Sequence, residues 1–141
     1  MPPTVLALLS DDGADHSPVL VVHGELDVGT APALRAWLSA ATDDGRRSTI
    51  VDLSAVTFMA AAALHALCDE QERLYEHDQR LTVVCQHPQL LALFRLIELD
   101  GVLEVVPTRT AARRRQAAMR PNQHLAGWVA RVEDDLPPKA S

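Results

Sequence analysis

Aromatic residues are scarce in this chain. Two Phe, one Tyr and two Trp make up 4% of its 141 residues, so any core must be built from Leu, Val, Ile and Ala. Cysteine is scarce too. Cys68 and Cys85 stand in the apolar runs HALCDE and LTVVCQ, where two thiols form no disulfide framework and read as reduced core residues of a cytosolic protein. No apolar run approaches the roughly 18 residues of a membrane span. The first residues, MPPTVLALLSDDGADHS, have no basic n-region and no convincing cleavage site, and they read as structure rather than as a signal peptide. Basic charge is not in excess either: the formal net charge of −6 disfavours nucleic acid as the main partner, because phosphate binding needs a basic face.

What is present is ordinary globular material, 48% hydrophobic and 23% charged, enough for one domain with a single core. Five apolar runs read as strands: TVLALL (4–9), VLVVHG (19–24), TIVDLS (49–54), LTVVCQ (81–86) and the weaker VLEVV (102–106). Their near-continuous aliphatic character suits strands covered on at least one face. The first two are separated by SDDGADHSP, a stretch fit for a hairpin.

Helical patterns fill the later gaps. In 30–45, Leu34, Trp37, Leu38 and Ala41 recur at i, i+3, i+4, i+7, with Thr30 as N-cap, Pro32 in the first turn and Asp43-Asp44-Gly45 as the stop. In 62–78, Leu64, Leu67, Cys68, Leu74 and Tyr75 make the apolar stripe, and Asp69 and Arg73 are spaced for an i,i+4 pair on the wet side. In 87–101, Leu90, Leu93, Phe94 and Ile97 form a third stripe between Pro88 and Gly101. The order β-β-α-β-α-β-α-β predicts an α/β fold with a mixed sheet of about five strands and helices mainly on one face. A boundary is expected near residue 110, with 1–110 as the domain and 111–141 as an extension, partly helical or disordered. In that extension an Ala/Arg-rich stretch precedes Pro121, NQHLAGWVARV is a possible short helix, and EDDLPPKAS resembles a frayed tail.

Catalytic signatures are missing. There is no GxSxG, no P-loop and no GxGxxG, and the carboxylates Glu25, Asp27 and Asp52 sit at strand ends, where structural or binding roles compete with acid–base work. His65, Cys68, Cys85 and His87 could in principle make a zinc site, but their spacing matches no common zinc module and His65 lies off the stripe that holds Cys68. They read as buried thiols and surface histidines, and no metal or cofactor is expected. The cluster Arg113-Arg114-Arg115, with Arg120, reads as the solvated face of a helix, with an acidic partner as the other option.

Two stretches together are more specific. GELDVGTAPALR (24–35) followed by IVDLSAVTFM (50–59) and a helix resembles the STAS family of anti-sigma-factor antagonists, and RLTVVCQHPQLLALFRLIELDGVLEVVPT (80–108) resembles its closing β-α-β. The resemblance spans about residues 4 to 110. It implies a small, cytoplasmic, bacterial partner-switching module in transcription regulation, not an enzyme, whose partner is an anti-sigma-factor serine kinase-like ATPase. A homodimer is possible, and nucleic-acid binding and membrane insertion are not implied. In the family the loop after this strand reads Asp-Ser-Ser-Gly or a close variant, and its first serine is phosphorylated.

Here those positions are Ala60, Ala61, Ala62 and Ala63. Ala61 has no oxygen to accept a phosphoryl group, so the usual switch is chemically absent, and Ser54 and Thr57, the nearest hydroxyls, do not open the helix. The lost cap costs about 0.5–2 kcal/mol, while Ala in place of Gly returns about 0.8–1 kcal/mol, so the helix is still expected to form. By the resemblance Asp27, Thr30, Ala60, Ala61, Ala62 and His65 border a partner-binding surface, with Ala61 as a degenerate phosphosite. The alternative is a structural STAS subunit of a transporter-associated or scaffold complex, docking without a switch.

Overall fold

The computed structural model describes residues 6–10, 17–96 and 102–118. Thr4 and Val5 of the first expected strand, most of the hairpin turn, Ile97 and Gly101 of the third helix, Arg120, and the segments NQHLAGWVARV and EDDLPPKAS lie outside those residues. The element order is β1 (Leu6–Ser10), β2 (Val19–Leu26), α1 (Ala31–Ala41), β3 (Thr49–Met59), α2 (Ala61–Glu76), β4 (Leu81–Val84), α3 (Pro88–Leu96), β5 (Glu104–Val106) and α4 (Arg109–Ala118). The strands form one five-stranded sheet in the order β1-β2-β3-β4-β5. β1 pairs antiparallel with β2, from Leu6 opposite His23 to Ser10 opposite Val19. The remaining neighbours are parallel, as expected where helices make the crossovers.

The aliphatic stripes read from the sequence pack on one face of this sheet. Leu34 and Leu38 of α1, Leu64, Leu67 and Leu74 of α2, and Leu90 and Phe94 of α3 are all buried against Val22, Val51, Leu53 and Val83. Each such leucine contributes about 1.5–3 kcal/mol relative to exposure. The other face carries a smaller cluster, Val19, Ile50, Val84 and Val106, covered by Ala112 of α4. Position 110 therefore falls inside α4.

Several local expectations are corrected. Thr30 stands at the N-cap position of α1, but its side chain makes no cap bond. The Asp27 carboxylate instead accepts the Thr30 N–H at 2.9 Å, and the Thr30 hydroxyl accepts the Asp27 N–H at 2.8 Å. This reciprocal pairing has the logic of a capping box, placed one turn earlier. Asp69 does not pair with Arg73; it binds Arg35 of α1 at 2.8 Å. Arg73 instead reaches back to Glu70 at 3.0 Å, and the buried Glu70 also accepts the Thr42 hydroxyl at 2.5 Å. Gln71, fully buried, does backbone work: its amide accepts the Leu81 N–H at 2.7 Å and donates to the Leu81 carbonyl at 2.9 Å, fixing the start of β4.

β3 does not stop at Ser54 but runs to Met59, so Asp52 and Ser54 are mid-strand. Two register shifts against β2, between Val21 and His23 and between Gly24 and Glu25, give β3 more residues than its partner. The core positions of β3 consequently fall at Leu53, Val56 and Met59, every third residue instead of every second. Gly24 beside the second shift has φ 101°, a conformation costly for a side chain with a Cβ.

Candidate partner-binding surface

The C-terminal ends of β2 and β3 open into the starts of α1 and α2, and one hydrogen bond ties these junctions together. The Ala60 N–H donates to the Leu26 carbonyl at 2.7 Å, which sets the start of α2 directly beside the Asp27 loop. The expected residues therefore gather at one end of the sheet. Ala61 and His65 are exposed; Asp27, Thr30, Ala60 and Ala62 are half-buried; Ala63 is buried in the core.

α2 begins on Ala60 with extended geometry, φ −85° and ψ 162°, and no side chain caps it. The Ala60 carbonyl accepts the Ala63 and Leu64 N–H groups at 3.0 and 3.3 Å, closing the first turn by backbone alone. Ala63, with nothing exposed, adds a methyl to the core. This end thus offers a helix N-terminus with its positive dipole end open and no hydroxyl or carboxylate at positions 60–63.

Two apolar side chains at this end were not singled out by sequence reasoning. Val28, in the Asp27–Thr30 turn, is 71% exposed, and Phe58, near the end of β3, is 50% exposed. Phe58 lies opposite the exposed Glu25 in the β2–β3 register. Strict alternation puts Val56 and Phe58 on one face, and only the second register shift turns Phe58 outward. The one available signal was that Phe58 is one of just two Phe in an aromatic-poor chain. Segments 23–30 and 54–65 carry Glu25 and Asp27 and no Lys or Arg, so the apolar pair sits in an acidic setting.

The other candidates are dispersed. Among the described residues no group of three or more His, Cys, Asp or Glu is placed to hold a metal ion. Cys85 is buried and Cys68 half-buried, while His65 faces solvent. Burial, reinforced by the Asp69 and Glu72 charges, pushes the Cys68 thiol up to about 11. Asp52 is buried on the α4 face: burial opposes its charge, but the Ser54 hydrogen bonds and Arg109 outweigh that and hold its carboxyl below the usual range. Three of the four α4 arginines are docked rather than simply solvated, while Arg114 is exposed as expected. Arg109 binds Asp52 at 2.5 Å, Arg113 donates to the Ser17 carbonyl at 3.2 Å, and Arg115 pairs with Glu104.

Residues 9–107 match the family described as Mlab, STAS domain. The chain belongs to the STAS family. Its relatives by sequence include the anti-sigma-B factor antagonist of Staphylococcus aureus, 30% identical over 84 residues, which cover 60% of this chain and 78% of that protein. Among solved structures, an anti-sigma factor antagonist from Mycobacterium paratuberculosis is 30% identical with a TM-score of 0.69, covering 81% of this chain and 97% of the other. The anti-sigma factor antagonist SpoIIAA in its unphosphorylated form shares the fold, with a TM-score of 0.64 over 82% of this chain and all of that one, at 17% identity. The chain is an anti-sigma-factor-antagonist-like STAS domain, and the mixed α/β fold expected from its pattern is the family's. Its relatives are regulatory rather than catalytic proteins. Among the described residues no helix is long and apolar enough to cross a membrane.

Proposed function

We propose that this STAS domain is a cytoplasmic, non-enzymatic module that docks an anti-sigma-factor serine kinase-like ATPase in transcriptional regulation and is not released by serine phosphorylation. The observation that carries this reading is the α2 junction. By the family resemblance Ala60–Ala63 would fall at the loop that carries the phosphorylated serine, and the helix begins there in ordinary geometry without an acceptor oxygen. A phosphate would bring roughly −1.5 to −2 charges to that surface; Ala61 cannot receive it. Asp27, Thr30, Ala60, Ala61, Ala62 and His65 form the docking end, with Asp27 and Thr30 shaping the loop through their mutual hydrogen bonds.

A second reading, a structural subunit of a transporter-associated or scaffold assembly, is favoured by the same missing hydroxyl, since a permanent docking face needs no switch. Affinity purification from the native cell, with partners identified by mass, separates the two. Recovery of a kinase-like ATPase supports the first, and transporter components support the second. Recovery of neither, from cells grown under several stresses, would overturn both.

A further inference from the structure

The Asp52 carboxylate holds two separate parts of the fold at once. Its Oδ1 accepts the Ser54 N–H at 2.9 Å, within β3, and its Oδ2 accepts Arg109 Nε of α4 at 2.5 Å. The Ser54 amide lies inside the first register shift, where β3 passes from Asp52 opposite Val21 to Ala55 opposite His23. A residue extra to the ladder loses its cross-strand partner, and here the Asp52 side chain supplies the acceptor. Beyond that point β3 continues to Thr57, Phe58 and Met59 and then into the α2 junction.

The α4 side of this link is polar. Of the residues of α4, only Ala112 is buried. The helix is otherwise held by Arg109 on Asp52, by Arg113 on the Ser17 carbonyl, by Arg115 on Glu104, and by Gln116, which donates to Thr82 Oγ1 at 3.0 Å and the Thr49 carbonyl at 3.2 Å. The Asp52 side chain is only 6% exposed and Arg109 is 50% exposed. A buried carboxylate stripped of its cation does not remain in place; it turns to water or takes a proton.

We propose that Asp52 is a positioning residue that couples α4 to the outer half of β3, so that loss of the Arg109 contact releases the Ser54 amide and loosens the segment presenting Phe58. The coupling would let a ligand or modification acting on α4 regulate the docking end. That regulatory meaning rests on the docking role proposed above; the coupling itself does not.

Amide hydrogen exchange followed by NMR on the full chain, with no partner present, tests it. In Arg109→Leu, Ser54 should exchange roughly tenfold faster or more, the scale of a lost hydrogen bond to a charged group, and resonances of 54–58 should shift. Arg114→Leu, an exposed change on the same helix, should alter neither. Asp52→Asn keeps a neutral acceptor that has no charge to solvate, so α4 amides should speed up while Ser54 stays protected. If Arg109→Leu does not fold, Arg109→Met keeps an unbranched apolar stem, removes every donor to Asp52 and is read in the same way. Unchanged Ser54 exchange with faster α4 exchange would overturn the coupling and leave the docking result untouched, just as failed partner capture would leave the exchange result standing.

Discussion

Replacing Ala60 with aspartate should stabilise the fold by about 1 kcal/mol, on the usual scale of a restored cap. Ala60 already has the extended backbone of an N-cap, and no side chain caps the helix and no acidic residue occupies its first turn. A carboxylate at this position can accept an orphan N–H of the first turn, worth about 0.5–2 kcal/mol, and it faces the positive end of the helix dipole, worth about 0.3–1 kcal/mol. Two terms oppose the gain. Ala60 is half-buried, so the new charge loses some water, and the Asp27 carboxylate stands in the neighbouring loop, tied in through the Ala60–Leu26 hydrogen bond. The net of about 1 kcal/mol corresponds to a rise in Tm of roughly 4 °C for a domain of this size. Urea unfolding at pH 7, with Ala60→Asn as the neutral cap, measures it. Aspartate should exceed asparagine at pH 7, and the advantage should vanish near pH 3. If both variants are less stable than the parent, the junction has no open cap and the account of the α2 start is wrong.

The parent chain, incubated with ATP and an anti-sigma-factor serine kinase, should take up no labelled phosphate within residues 54–66, whereas the Ala60→Asp, Ala61→Ser double variant should gain an acceptor; label in the parent refutes the reading of Ala61. Because the folded carboxyl of Asp52 lies below its ordinary value of 3.8, its contribution is fully present above that pH and lost as pH falls through the depressed folded value, so acid unfolding of Asp52→Asn should show a shallower loss below about pH 4. The Cys68 thiol, raised from 9.0 to about 11, should have roughly a hundredfold less thiolate near pH 8 and react with a disulfide reagent correspondingly more slowly in the folded chain than in denaturant. Gly45→Ala should destabilise by about 1 kcal/mol or more, since Gly45 has φ 84° and an added Cβ would stand 3.2 Å from the Arg73 Cβ; an unchanged urea midpoint would show that the turn relaxes.

The layout of the sheet was legible because its strands are aliphatic runs and its helices repeat leucine at helical spacing, so the order of elements and the buried faces of α1 and α2 follow from pattern. The ends of β3 and the caps did not follow. Alternation assumes a period of two, and the register shifts opposite Val21–His23 and Gly24–Glu25 change it to three over Leu53, Val56 and Met59. Those shifts depend on what β2 offers across the ladder, which no reading of β3 alone contains. Asp69 was assigned to the wrong arginine for a related reason: i,i+4 spacing favours Arg73 within α2, but Arg35 on the neighbouring helix lies closer. Tertiary proximity competes with helical spacing and is invisible in one helix. Glu70 and Gln71 were missed because a polar residue inside an amphipathic pattern reads as wet, whereas here Thr42 and the Leu81 backbone satisfy them in the core.

The proposed docking end was partly legible for a different reason. Ala60–Ala63 stand out against the resemblance, because a chemical requirement can be checked letter by letter, while Phe58 and Val28 stand out only once exposure is known. The two observations bear on each other. A phosphorylatable surface can be opened by adding charge, so it can tolerate strong apolar anchoring and still release its partner. A surface without the acceptor keeps whatever affinity its anchors provide, and a half-exposed aromatic flanked by Glu25 on β2 is the kind of group that dominates such an interface. Release must then come from the partner's own state, or from a change in how β3 presents Phe58. Within this fold α4 reaches that strand through Gln116 on the Thr49 carbonyl, Ala112 against the Ile50 cluster and Arg109 on Asp52. Of these only Asp52 also holds the Ser54 amide at the register shift, which makes the Asp52–Arg109 contact the place where the proposed control of the docking end is physically available.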